Sequence, residues 1–209
     1  MKSAAFLTVV LVFLVACPRA ECDRPKEADV ELRALSERFL DSLVQDDFVA
    51  YSQCWISFAV AWRAATRAGA PLDESDDGPP RVLGRNRLIA KLFAPLRDRL
   101  KALSRDMTAI KVEAVTTERH EVCHGQDVWD EFAVFIRVGS DSIVRIEVGR
   151  VGNVGDDWYL LDRPSCKIDV VKDGVCKELD LLTGKEDEWF PAPGLLRDWM
   201  GRGSKQGGS

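Results

Sequence analysis

The run from Trp129 to Pro164 constrains the fold of this chain more than any other part of the sequence. Apolar and polar residues alternate there with a period of two, and β-branched and aromatic side chains are frequent. Clusters of Gly, Asp and Asn at 139–141 and 152–157 separate the alternating segments. The run therefore predicts an antiparallel β-meander, one face of which must be covered by another layer.

The segments before the meander predict the covering helices. Apolar residues recur at helical spacing between 32 and 43, between 55 and 65, and between 88 and 103. Pro95 lies inside the last of these stripes, so a kink or a break is expected just before it. Residues 70–80 are rich in proline and acidic residues and lack the residue order of a calcium loop, which favours a solvated loop. Helices followed by an antiparallel sheet are typical of an α+β fold, predicted here as N-terminal helices packed on a curved antiparallel β-sheet.

The remaining segments complete the predicted domain over residues 30–182. Alternation at 109–118 predicts a strand, and residues 119–128 are interpreted as the connection to the meander. Residues 167–182 are expected to add a strand or hairpin. The C-terminal segment, 183–209, is predicted to hold a short helix within 186–200 and to end in a disordered Gly/Ser-rich tail.

The N-terminus looks like a targeting segment. A basic start and an apolar run, which is too short to span a bilayer stably, end in Leu14-Val15-Ala16-Cys17. This tetrapeptide resembles the lipobox of bacterial lipoproteins. The resemblance implies that residues 1–16 are a cleaved signal peptide, that the Cys17 thiol accepts a diacylglycerol, and that residues 17–29 are a tether. An ordinary secretory signal, with Cys17 or Cys22 in a disulfide, and a retained signal anchor are the alternatives.

The charge and the cysteine content of the chain limit its possible partners and its redox compartment. Loss of Lys2 with the signal peptide would change the formal net charge from −5 to −6, which argues against a general nucleic-acid or anionic-lipid surface. An exported chain meets an oxidising compartment, so its six cysteines permit disulfides. Cys166 and Cys176 are the candidate pair. A tight hairpin on the intervening Asp-Gly would instead place Cys176 opposite Val171, so their pairing needs a looser loop.

Three parts of the chain, residues 37–43, residues 46–51 and residues 157–162, resemble the nuclear transport factor two-like superfamily. The resemblance covers roughly residues 30–164 and implies helices that fill the concave side of a strongly curved sheet and leave a conical pocket. The superfamily includes isomerases, dehydratases, polyketide cyclases and many binding or accessory modules, so the fold alone does not give the function.

The sharpest local motif runs from His120 through Glu121 and Cys123 to His124. Two histidines four residues apart with a glutamate between them fit a zincin, provided that the segment is helical. The flanking charges, the following glycine and the neighbouring strands favour a polar loop between strands. A small site in which His120, Cys123 and His124 hold a metal is the remaining alternative.

Other candidate groups lie in the meander. Acid–base chemistry in a conical pocket would need a shielded carboxylate, and Asp130, Glu131, Glu147 and Asp162 lie on or next to strands. The alternation also places arginines opposite the valine face, which favours a cross-strand ladder of charges. Cys54, inside an apolar helical segment, is expected to be a buried, inert thiol.

Together these features lead to one functional hypothesis and two alternatives. The chain is expected to be an exported lipoprotein, anchored to a bacterial membrane through acylated Cys17, that acts as a non-catalytic binding or accessory module of the cell envelope. Its expected partners are membrane lipid and an envelope protein or small ligand, with no nucleic acid and no cofactor. The alternatives are a small pocket enzyme of the isomerase or cyclase type and a zinc hydrolase.

Overall fold

The computed structural model describes residues 26–67, 79–104, 106–123, 126–139, 142–162, 165–172, 175–188 and 190–191. The α-helices are α1 (Lys26–Val44), α2 (Phe48–Gln53), α3 (Phe58–Arg67) and α4 (Pro79–Leu103), and a 3-10 turn spans Met107–Ala109. The strands are β1 (Lys111–Thr116), β2 (Arg119–Cys123), β3 (Gln126–Val138), β4 (Ser142–Val154), β5 (Asp157–Leu160), β6 (Lys167–Lys172), β7 (Val175–Asp180) and β8 (Phe190–Pro191).

Helices pack against one curved, unclosed antiparallel sheet, which confirms the predicted α+β class. The strand order is β1-β3-β4-β6-β7-β8, with β2 also paired to β3 and β5 also paired to β4. The two 13-residue strands β3 and β4 therefore run the length of the sheet. β1 and β6 flank them at one end, and β2 and β5 flank them at the other.

A bulge bends the two long strands between these ends. The β3–β4 register shifts between Trp129 and Phe132, and Glu131 in the bulge has a φ of 55°. Gly149, the partner of Phe132 on β4, has a φ of 89°. Because a side chain at that φ is strained, and a Cβ there would also meet the Asp162 side chain at 3.2 Å, glycine suits this position. Bulges increase local twist and bend the bulged strand, so this pair marks the bend of the sheet.

The main core lies between the helices and the valine-bearing face of the sheet. Leu35 and Phe39 of α1 and Leu96 of α4 are at most 1% exposed, as the helical stripes predicted. On the sheet, alternate positions of the long strands complete this core: Phe132, Val134, Ile136, Val138, Val144, Ile146 and Val148. Fully burying a side chain of this kind contributes about 1.5–3 kcal/mol, so this layer is the main source of stability.

For the opposite face of the sheet, the sequence had predicted a ladder of charges. The structure shows apolar residues there as well. A second apolar cluster lies there, formed by Ala133, Phe135, Ile143, Val171 and Cys176. The predicted charge ladder is confirmed on the same face. Arg137 pairs with Glu113, and Arg145 pairs with both Glu147 and Asp169. Long charged side chains thus flank a small apolar patch, and both faces of the sheet bury residues.

Several predicted boundaries need correction. Residues 119–128, interpreted as a connection, form β2 and the start of β3. α1 begins at Lys26, inside the predicted tether, and α4 continues through Pro95 without a break. The predicted loop at 70–80 ends earlier, because α4 begins at Pro79, and residues 68–78 lie outside the described chain.

The C-terminal segment also differs from its prediction. Glu186 forms a bridge with Leu179, and Phe190–Pro191 forms β8 against β7, where a helix had been expected. The rest of the predicted helix and the Gly/Ser-rich tail fall within residues 192–209, outside the described chain. The predicted signal peptide at 1–16 and most of the predicted tether are likewise outside it.

Candidate functional site

In the β2–β3 hairpin, a histidine contacts both an aspartate and a tryptophan. His120 and Trp129 are directly opposed across the two strands, and their rings stack with centroids 4.2 Å apart. His120 Nε2 lies 2.8 Å from Asp127 Oδ1, and the His120 side chain is only 11% exposed. Trp129 belongs to the main core, so His120 lies on the helix-facing side of the sheet. A carboxylate that holds one imidazole nitrogen fixes the orientation of the ring, an arrangement suited to acid–base work or to recognition of a polar group.

This placement changes the reading of the zincin-like motif. A zincin needs a helix to bring both histidines to one metal, and residues Arg119–Cys123 form a strand. Adjacent strand positions point to opposite faces, so His120 and Glu121 are separated by the sheet. His124 and the side chain of Cys123 lie outside the described residues. Within the described part of the chain, no group of three His, Cys, Asp or Glu side chains could hold a metal ion.

The bulge next to this hairpin gathers carboxylates. Glu118 is hydrogen-bonded to Glu131, and this contact, together with the repulsion between the two carboxylates, raises the pKa of Glu118. Arg119 Nη2 donates to Glu131 Oε1 at 3.0 Å. Burial raises the pKa of Asp130, and the charge of Glu121 raises it further. The chain thus keeps two acids with raised pKa values beside the bulge, both of them accessible to water.

The other predicted acid–base candidates are held in ion pairs. Asp162 accepts hydrogen bonds from Arg150 Nε and Nη2 at 2.8 and 2.9 Å. Glu147 accepts from Arg145 Nη2 at 3.0 Å. Both carboxylates are therefore held as counter-ions.

Tilted aromatic rings pack against one another in the interior between helices and sheet. The Tyr51 ring lies 5.0 Å from that of Phe93, 5.6 Å from that of Phe39 and 5.9 Å from that of Trp55, measured between centroids. Trp55 is tied to the sheet by a parallel bridge to Leu160. Edge-on and tilted ring contacts at these distances are favourable. Phe39, Trp55 and Phe93, which the sequence placed on helical stripes, thus converge on Tyr51, which it did not.

Polar groups in this interior are few. The hydroxyls of Ser36 and Ser42 donate to helix carbonyls at 2.8 and 2.6 Å, and these are the buried polar or charged residues of the described chain. The Tyr51 hydroxyl and the Trp55 indole N–H are buried without a hydrogen-bond partner in the described residues. Burial also raises the pKa of the Tyr51 hydroxyl well above its usual range. The hydroxyl therefore remains protonated.

Cys54, Cys166 and Cys176 are free thiols. Cys54 is 4% exposed, and burial raises its pKa to about 11, which confirms the predicted buried thiol with low reactivity. Cys176 pairs in register with Val171, as a tight hairpin predicted. Cys166 lies farther along, where its carbonyl accepts from the Leu181 N–H, and it packs on the main core. The two thiols of the candidate Cys166–Cys176 pair are both free in this structure, and they pack in apolar clusters on opposite faces of the sheet.

Comparison with family models, with curated proteins and with solved structures finds no match to this chain. None of the described helices combines the length and apolarity needed to cross a bilayer. Cys17, the predicted lipidation site, lies outside the described residues.

Sequence reasoning singled out His120 but missed both of its contacts. Asp127 and Trp129 were assigned to a connection and to a strand start, and only the register of the hairpin brings them to His120. The period-two alternation of polar and apolar residues at 119–123 is weak, so the sequence carried little signal for this strand. The unpartnered Tyr51 hydroxyl could not be foreseen, because a tyrosine on an amphipathic helix is equally compatible with an exposed hydroxyl.

Proposed function

We propose that this chain is an exported lipoprotein, anchored to a bacterial membrane through acylated Cys17, that acts as a non-catalytic binding or accessory module of the cell envelope. The single observation that supports the module is the aromatic cluster around Tyr51, whose rings belong to the main core between the helices and the sheet. A pocket enzyme of this architecture uses that space to hold its substrate and a shielded acid or base. A helix-facing side packed with core residues leaves the outer surfaces for binding.

The finer architecture belongs to the same proposal. We assign the domain to the nuclear transport factor two-like cone. The order of helices and strands supports this assignment, as do the bend at Glu131 and Gly149 and the bridge from Trp55 to Leu160. A crystal structure in which residues 126–154 form two straight, unbent strands would contradict it.

Intact-mass measurement tests the anchor. Membrane-extracted wild type is expected to lack residues 1–16 and to carry the added mass of a diacylglycerol and an acyl chain. Cys17→Ser is expected to lose that mass and to leave the membrane fraction. Several acyl chains, at about 0.8 kcal/mol per buried methylene, hold a protein at a bilayer without a spanning helix. An unmodified chain in the soluble fraction would overturn the proposal.

A pocket enzyme is the second candidate, and the His120–Asp127 pair favours it. The pair lies on the helix-facing side and is oriented by the stack on Trp129, so His120 could move a proton at a bound substrate. Incubation with a panel of small ketones and acids in D₂O tests this function, because proton transfer places deuterium on the carbon next to the carbonyl group. His120→Asn and Asp127→Asn should abolish uptake, whereas Lys111→Gln, at an exposed position on β1, should not. No uptake by wild type across the panel would remove the candidate.

A further inference from the structure

Helix α4 concentrates positive charge on a chain that is acidic as a whole. Its sequence holds seven Lys or Arg residues and a single acid, Asp98, whereas the formal net charge of the whole chain is −5. The charge of the chain is therefore strongly uneven. Local charge of this kind decides how a surface orients near a charged partner, even when the net charge has the opposite sign.

Five of the seven cations of α4 have described side chains, and these five fall into two groups. Arg97 pairs with Asp46 and Asp98, and Arg99 Nη2 lies 3.0 Å from Glu186 Oε1. These two arginines therefore form ion pairs within the domain. The second group consists of Arg87, Lys91 and Lys101, which are exposed. No ion pair among the described residues involves any of the three. The single acid of the helix is occupied by Arg97.

The second group forms one stripe. At about 100° per residue, Arg87, Lys91 and Lys101 fall within an arc of about 80° on the helix. The arc lies opposite Leu96 and Ile89, which are 1% and 4% exposed in the core. The helix therefore buries its apolar side in the main core and presents to solvent a line of three cations that have no ion-pair partner among the described residues.

We infer that this basic stripe docks α4 on anionic lipid headgroups of the membrane that holds the protein. The inference rests on the proposed anchor at Cys17. α1 begins at Lys26, and at about 3.3–3.6 Å per residue the chain from Cys17 to Lys26 extends at most about 30 Å. The anchor thus holds the domain close to the bilayer, where the negative surface potential attracts cations within about one Debye length, 8–10 Å. The acidic remainder of the surface is repelled, so α4 faces the membrane.

Vesicle flotation tests the docking with full-length Cys17→Ser protein, which carries no acyl chain. The vesicles are phosphatidylcholine alone, or phosphatidylcholine and phosphatidylglycerol in equal parts. The test variant is Arg87→Gln, Lys91→Gln, Lys101→Gln, and the control is Lys111→Gln, Lys172→Gln, Lys185→Gln. The control removes the same charge from exposed positions on β1, on β6 and after β7. Circular dichroism confirms that each variant is folded.

The apolar leader is common to all three proteins, so the difference between the two vesicle types isolates the electrostatic contribution. The parent protein and the control should partition more strongly onto the anionic vesicles, and added salt should remove the preference. The test variant should lose about a hundredfold in partitioning onto anionic vesicles, at about fivefold for each cation. Equal losses in the test variant and the control, or no anionic preference in the parent, would overturn the inference.

Failure of the anchor would be recognised separately. An unmodified Cys17 in the intact-mass experiment removes the proposed lipidation but leaves the flotation result unchanged. A loss of anionic preference confined to the test variant would then still assign the stripe to lipid headgroups. Conversely, if the protein is lipidated but substitution of the stripe has no effect on flotation, the proposed anchor stands and the proposed docking surface is overturned.

Discussion

Arg33 Nη2 of α1 donates to the backbone carbonyl oxygen of Val112 on β1 at 2.9 Å. β1 lies at one end of the strand order, so this carbonyl belongs to an edge of the sheet. Edge strands offer unpaired backbone groups to other chains, and a charged side chain on that edge blocks such pairing. The same arginine also pairs with Glu37 one turn along its own helix, at 3.0 Å. One side chain therefore couples the first helix to the first strand.

Replacing Arg33 with Met should destabilise the fold by about 1–2 kcal/mol, because a charge-assisted hydrogen bond to the edge carbonyl is lost. Urea unfolding followed by circular dichroism measures the change. Glu37→Gln is the matched control, since it removes only the surface ion pair, worth about 0.3–0.5 kcal/mol. Equal losses in the two variants would mean that the Val112 contact contributes nothing.

Glu113 should stabilise the fold above its ordinary titration range. The hydrogen bond from Arg137 Nε, 2.6 Å long, lowers the pKa of Glu113 in the folded state. A carboxyl with a lowered folded pKa stabilises above its unfolded pKa, about 4.3, and this stabilisation is lost as the pH falls through the folded value. Glu113→Gln should therefore be less stable than wild type at pH 7, with the difference shrinking below about pH 4. A constant difference across urea titrations from pH 7 to pH 3 would contradict this.

Glu118 should behave in the opposite sense. Its pKa is raised, first by the hydrogen bond to Glu131 and then by the charge of that carboxylate. The folded state thus binds the proton more tightly than the unfolded state, and the ionised pair is unfavourable at neutral pH. Glu118→Gln keeps a donor for Glu131 and should raise the melting temperature at pH 7, with the gain disappearing near pH 4. Glu188→Gln, an exposed glutamate near the end of the described chain, should show no such gain.

Two substitutions of Tyr51 separate the contribution of its ring to stability from the contribution of its hydroxyl. Tyr51→Phe keeps the contacts to Phe39, Trp55 and Phe93 and removes a buried hydroxyl that has no partner in the described residues. The free energy of unfolding should stay within about 0.5 kcal/mol of wild type or increase, because an unsatisfied buried group is costly. Tyr51→Ala should cost about 3–5 kcal/mol through the cavity that it leaves. A large loss in Tyr51→Phe would show that the hydroxyl is hydrogen-bonded in solution.

The strands of the meander could be predicted because their sequence leaves little choice. In β4, Val144, Ile146 and Val148 alternate with Arg145 and Glu147, and a shift of one residue would turn this apolar set away from the helices. The hairpin that places Cys176 opposite Val171 followed from its Asp-Gly turn in the same way. The stripes on α1 and α4 were equally reliable, since these helices bury residues that the spacing selected. The stripe at 55–65 was less so, because α3 begins only at Phe58 and Ala59 is exposed.

What escaped prediction depends on tertiary partners. β2 is short and at the edge, with Arg119 and Glu121 among its five residues, so its alternation is weak. The sequence of β3 gives no sign of the bulge at Glu131, because it has no glycine there. The glycine that accommodates the bend, Gly149, is on the opposite strand. The stack of His120 on Trp129 follows only once that hairpin register is known. The candidate site was therefore the least predictable part of the molecule.

The shared pair of long strands has a consequence for how the domain opens. β3 and β4 hold β1 and β6 at one end of the sheet and β2 and β5 at the other. Neither end can detach as an independent unit without fraying the backbone on which the other depends. Amide protons near Val134 and Ile146 should therefore exchange with solvent only when the whole domain unfolds. The protein would respond to heat or force as one cooperative block, so a docking partner at either end would stabilise both.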